Sequence, residues 1–146
     1  MKTTHLVKRA VSSLLQTPPN PQDIAVVSQV LNIAEFAVWS DMQYRDQRHS
    51  VVVLRRFDIL APAAVRADRA SALLHDVGKN ISNLGFVSRV IATVVGPRGQ
   101  RFIAYHDHER LGAELLSSIS DPRTVALVGG LVDDEISLLL KAADDI

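Results

Sequence analysis

Apolar residues recur along this chain at steps of three and four, and that spacing constrains the fold more than any other feature. Ala63, Ala67, Ala70, Leu74 and Val77 form one such series, and His108, Leu111, Leu115 and Ile119 another; Phe86, Val90 and Val94 make a third inward face, closed by the turn-prone "GPRGQ". With about 3.6 residues per turn these side chains share one face of a helix, whereas a strand alternates every two residues. Residues 2–16 predict a short amphipathic helix that "TPPNPQD" stops, because proline removes a backbone donor and clashes with the preceding turn. A helix from about Gln22 breaks near Asn32, where Asn32 and Glu35 have the spacing of an N-cap and its reciprocating partner, and runs on through Trp39 to about Met42. Residues 45–60 set His49, Val53, Phe57 and Leu60 on one stripe. Asp121-Pro122 reads as a cap followed by a proline at the first helical position, and a last helix begins near Asp133 or Asp134.

One stretch dissents. The valines of "SVVVLRRF" suit a strand, but Val51 to Leu54 is unbroken rather than alternating, so a buried strand and a buried helix fit equally well. Helical neighbours and the lack of a second strand candidate decide for helix. The chain therefore reads as all-α, one compact helical domain over 1–146 with six to eight helices, its N-terminal helices (1–42) packing on a core of 45–146.

Composition narrows the function classes. The 146 residues are 47% hydrophobic and 22% charged, enough apolar side chain for a proper core at this length. Sixteen Lys and Arg balance sixteen Asp and Glu, so no strong positive field is present and no nucleic-acid partner is expected. The lack of cysteine excludes disulfides, a thiolate metal site and a cysteine nucleophile. Lys8 and Arg9 interrupt the apolar start, against a signal peptide, and the run "VIATVVG" is far too short to span a bilayer. A cytoplasmic protein with no membrane partner is the expectation.

Metal-binding side chains fall on inward positions of separate helices. "SALLHDVGKN", residues 71–80, puts His75 and Asp76 side by side after an apolar run, and His49 shares a stripe with Val53 and Phe57. On the last helix Ile136, Leu140 and Asp144 lie on one line, with Ser137, Lys141 and Asp145 on the polar line beside it, so Asp144 rather than Asp145 is expected to face the core. Two imidazoles and two carboxylates suit a borderline or hard divalent ion. Neighbouring residues of a helix point about 100° apart, so an ion shared by His75 and Asp76 sits near the helix end with one flank open. An open position holds the water whose pKa a hydrolytic ion lowers.

His49, "LLHDVGK" at 73–79 and the terminal "LLKAADD" resemble the HD superfamily of metal-dependent phosphohydrolases. "HERLGAELL", with His108 four residues before Gly112, is similar to a segment of many members, and "AVWSDMQYRDQRHSV" is similar to small stand-alone bacterial HD proteins. The resemblance spans residues 49–145. It implies an all-helical domain in which His49, His75, Asp76 and Asp144 ligate the metal. Members holding two or more metals carry further histidines after the His108-like position, and "ALVGGLVDDE" has none, so one divalent ion (Mn, Mg, Co, Ni, Fe or Zn) is expected. The implied activity is hydrolysis of a phosphoester, a nucleotide or related small phosphate compound, by a metal-bound water. Asp76 and Lys79 are the expected catalytic groups; Lys79, His108 and Arg48 the expected substrate contacts; His106 and His108 candidate extra ligands.

Each residue also has a plainer role. An inward histidine is commonly a hydrogen-bonded core residue, Lys79 can simply meet the helix dipole, and Arg48, Arg98 and Arg101 can be solvated surface residues rather than phosphate contacts. His5 and Trp39 read as structural or surface, and Asp133 and Asp134 as helix caps. Two rival functions remain: a catalytically degenerate HD module that binds a metal or nucleotide in a regulatory role, and a helical interaction domain whose histidines are core residues. A homo-oligomer is left open.

Overall fold

An asparagine or aspartate side chain caps four of the described helices. The structure, a computed structural model, describes residues 17–82 and 108–145, with the backbone alone at 80–82 and 108. Among the described residues the fold is all-α and has no strand. Its helices are α1 (Pro21–Val30), α2 (Ile33–Ser40), α3 (Tyr44–Leu60), α4 (Arg66–Leu74), α5 (His108–Leu116), α6 (Pro122–Val128) and α7 (Glu135–Asp144), with a 3-10 turn (Val77–Ser82) after α4. None is long and apolar enough to cross a membrane. The helix expected over 2–16, the Phe86, Val90 and Val94 face and the "GPRGQ" turn lie outside the described residues.

The caps follow local chemistry. The Asn20 side chain accepts from the Asp23 N–H, with Pro21 opening α1. Asn32 and Glu35 form a reciprocal box at the start of α2, each side chain accepting the other's backbone N–H at 2.8–2.9 Å. The Asp121 carboxylate accepts the Arg123 N–H at 2.8 Å, ahead of Pro122. Asp134 boxes with Ser137 to open α7. Asp133 does not cap: the chain reaches the cap geometry one residue later, and Asp133 is left exposed on the wall of a cavity.

"SVVVLRRF" is helical, within α3. Val51, Val53 and Leu54 are fully buried while Val52 is 40% exposed, the pattern of a helix with most of its girth covered. Trp39 is structural and buried; its indole N–H donates to Ser50 Oγ on α3 at 2.9 Å. Gln47 donates to the Trp39, Ser40 and Met42 carbonyls, at and just after the C-terminal end of α2. Two stripe positions differ from expectation. Leu60, last residue of α3, and Ala63, in the turn before α4, are exposed. Pro62 cannot donate a backbone hydrogen bond, so the helical face of α4 starts only at Arg66.

Helix α3 packs on α4 and α7, α4 on α6, and α5 on α6 and the 3-10 turn; α1 and α2 lie against α4. Trp39, Phe57, Leu54, Leu73, Leu74, Leu111 and Leu116 form the centre of the core. Gly112 is the reason α5 can sit so close to the turn after α4. A Cβ there would meet Val128 at 3.2 Å, Val77 at 3.3 Å and the Gly78 nitrogen at 3.4 Å.

Charged pairs tie the helices across this core. Arg69 grips both oxygens of Asp58 at 2.8 and 3.0 Å, joining α4 to α3. Fully buried Glu35 is paired with Arg66 at 3.2 Å. Arg123 on α6 bridges buried Asp68 of α4 at 2.9 Å and Asp134 at 2.7 Å. Removing one partner of such a pair strands a charge out of water. Arg123→Ala is therefore expected to lower stability by about 2–3 kcal/mol, the low end for a broken buried pair because Arg123 is partly exposed. Asp68→Asn in the Arg123→Ala background should recover part of the loss. Urea denaturation of the two variants checks both.

Candidate metal centre

Two helix contacts of the fold converge on one point. Packing of α3 on α4 and α7 brings His49, near the middle of α3, against His75 at the end of α4 and Asp144 at the end of α7. Helix α4 stops at Leu74 and His75 is its C-cap, after which the chain tightens into the 3-10 turn that carries Lys79. The helix thus ends at the histidine–aspartate pair.

His49, His75 and Asp76 each bring a ligand atom within 4.8 Å of the others. Asp144 joins them through one oxygen, 2.9 Å from His49 Nε2 and 3.2 Å from His75 Nε2. Asp76 Oδ2 lies 3.4 Å from His75 Nε2. Metal–ligand bonds of about 2.1 Å meeting at about 90–110° set neighbouring ligand atoms about 3.0–3.4 Å apart. These three contacts fall close to that spacing, while the group whose ligand atoms all lie within 4.8 Å of one another is His49, His75 and Asp76 without Asp144.

The tautomer of His75 sharpens the picture. Its Nδ1–H donates to the Ala72 carbonyl at 2.8 Å, an acceptor-only group, so the proton of the neutral ring is held on Nδ1 and the lone pair on Nε2. Nε2 is buried and has no hydrogen-bond partner, because the carboxylate oxygens facing it approach off the hydrogen-bond line. A bare lone pair looking at two carboxylates is repelled by both; a proton or a metal cation between them removes the repulsion. The proton's share is visible in the electrostatics. Burial opposes charge on His75, but Asp144 and then Asp76 outweigh it and raise its pKa. Contact with His75, against the opposing effect of burial and with help from His49, holds the Asp144 carboxyl far below the usual carboxylate range.

His75, Asp76 and Asp144 line a cavity of about 710 Å³, and His49 is not among its lining residues; the volume is within the size range of small-molecule sites. Leu127, Val128, Val132, Leu138 and Leu140 supply apolar wall. Five carboxylates (Asp76, Asp144, Asp145, Glu109 and Asp133) face two lysines, Lys79 and Lys141. Asp144 holds the imidazoles, whereas Asp145 is the exposed C-cap of α7.

The remaining expected residues divide. Lys79 is at the site, its Nζ 2.8 Å from Asp76 Oδ1. Arg48 is not among the described residues lining the cavity, and its guanidinium donates to the Thr17 carbonyl. His108 is the first residue of α5, with only its backbone described, and His106, Arg98, Arg101 and His5 lie outside the described residues. Lys141 and Glu109 escaped the sequence reading. The one available signal was that Lys141 stands three residues before Asp144, the i, i+3 spacing that shares a helix face; Glu109 offered none, because its place depends on how α5 packs. No family model matches the chain, and no curated protein or solved structure does.

Proposed function

We propose that this chain is a metal-dependent phosphohydrolase of the HD type. Its substrate is a small phosphoester, a nucleotide or related compound by the resemblance of its motifs, and its setting the cytoplasm. The observation that carries the proposal is the buried Nε2 of His75, its tautomer fixed by Ala72, without a hydrogen-bond partner and faced by two carboxylates. That donor set fits a divalent cation, which would be held by His49, His75, Asp76 and Asp144. When bound, such an ion supplies Lewis acidity, lowering the pKa of a water and offsetting charge on phosphoryl oxygens. The chain's own residues do the rest. The Ala72 carbonyl keeps the His75 ring oriented, Asp76 orients or accepts a proton beside the phosphorus, and the apolar wall excludes water from one side of the cavity.

One observation favours a rival. No histidine follows His108 to hold a second ion, as befits a regulatory module that binds a metal or nucleotide without catalysis. Elemental analysis of protein purified without a metal-binding tag is expected to find one divalent ion per chain. The metal-loaded protein is expected to hydrolyse at least one member of a panel of phosphomonoesters, nucleotides and cyclic nucleotides, assayed with manganese, magnesium, cobalt, nickel, iron and zinc in turn. Tight nucleotide binding without turnover would transfer the assignment to the module. Absence of both ion and turnover would overturn both.

A further inference from the structure

We infer that Lys141 of α7, rather than Lys79, grips the substrate's phosphate, and that Lys79 positions Asp76; this rests on the phosphohydrolase reading. Lys79 has the sequence position expected of a phosphate contact, one turn after the histidine–aspartate pair. Its ammonium is already engaged, at 2.8 Å from Asp76 Oδ1. The Asp76 side chain is only 8% exposed while that of Lys79 is 51% exposed. The two oxygens of Asp76 are divided: Oδ2 faces His75, where the ion would sit, and Oδ1 faces Lys79, so drawing Lys79 away to a phosphate would leave a buried oxygen without its partner.

Lys141 carries no such duty. It is exposed, lines the same cavity, and makes no ion pair among the described residues. Helix α7 turns Ser137, Lys141, Asp144 and Asp145 to that cavity, the i, i+4, i+7, i+8 pattern of a single helix face. The Ser137 hydroxyl is committed to the Asp134 cap, so Lys141 is the cationic donor this face presents. It stands less than one turn before Asp144, on the same wall as the metal ligands. A lysine there can meet a phosphate oxygen as a point charge while the cluster below remains intact. Against five carboxylates and two lysines, a phosphate is repelled until a divalent cation is bound. Ion and lysine must then act together.

The test titrates manganese, then inorganic phosphate, into the full-length protein by calorimetry, with circular dichroism confirming helix content in every variant. Lys141→Ala is expected to bind manganese as the wild type does and to bind phosphate about ten- to a hundredfold more weakly, the range for one charge-assisted hydrogen bond. Lys141→Arg is expected to restore most of that loss. Lys79→Ala is expected to weaken manganese about ten- to a hundredfold, as removal of a group behind a ligand does. Unchanged phosphate affinity in Lys141→Ala overturns the inference, as does loss of manganese from that variant. So does a Lys79→Ala protein that keeps manganese and loses phosphate. Wild type that binds manganese but no phosphate also overturns it, with the metal centre left standing. Wild type that binds no divalent ion sinks the phosphohydrolase reading itself.

Discussion

His75→Ala and Asp76→Ala are each expected to empty the metal centre and abolish hydrolysis while leaving the helical fold in place. His75 offers the lone pair that the Ala72 contact aims at its two carboxylate neighbours, and Asp76 brings the buried carboxylate beside it. Loss of either takes away a direct ligand, so ion affinity should fall by more than the roughly ten- to hundredfold seen when only a supporting group behind a ligand is lost. Asp144→Ala belongs with these two, since its oxygen touches both imidazoles. Asp145→Ala should change ion content little, because that side chain is an exposed helix cap. Elemental analysis and far-ultraviolet circular dichroism on the four variants decide the matter. An Asp145→Ala protein stripped of metal beside a metal-replete Asp144→Ala protein would mean that the last turn of α7 is rotated.

The second large effect is a crossing of two pH dependences. In the metal-free protein, Asp144 has its pKa lowered from the ordinary 3.8, so its stabilising share is present above 3.8 and is lost as the pH falls through the depressed value. His75 has its pKa raised from the ordinary 6.5, burial being outweighed by Asp144 and Asp76. Its share is therefore complete below 6.5 and is lost as the pH climbs through the raised value. Both shares coexist between 3.8 and 6.5, and there the metal-free protein should gain most from the cluster. A divalent ion must displace the His75 proton, so its affinity should rise about tenfold per pH unit until that proton is gone. The rise in Tm on adding manganese should accordingly be small at about pH 5 and large at about pH 8. A manganese-induced shift that stays flat across that range would show that His75 is not a ligand.

Helix positions and caps were legible because they are decided within a few residues. Asn32 and Glu35 meet in the capping box that their spacing predicts, and Asp121 with Pro122 opens α6. The stripes erred at helix ends. Ala63 has the period of α4 but lies in the turn between Pro62 and Arg66, and Leu60 is exposed where α3 runs out.

Residue types and periodicity by themselves determined that the described fold is all-α, where its capped helices start, and that His49 stands on α3, the His75–Asp76 pair at the end of α4 and Asp144 on α7. Those are matters of the backbone's nearest neighbours: which donor caps which N–H, and which face of a helix is apolar. Only the tertiary structure decided how close the side chains come. It brought His49 and Asp144, ninety-five residues apart, to 2.9 Å, bound Lys79 to Asp76, turned Arg48 to Thr17, and set Lys141 and Glu109 on the cavity wall. Such distances depend on how helices pack, through residues like Gly112, whose lack of a side chain allows two elements to touch. Packing of that kind joins residues far apart in the chain, and a periodicity of three and four does not reach that far.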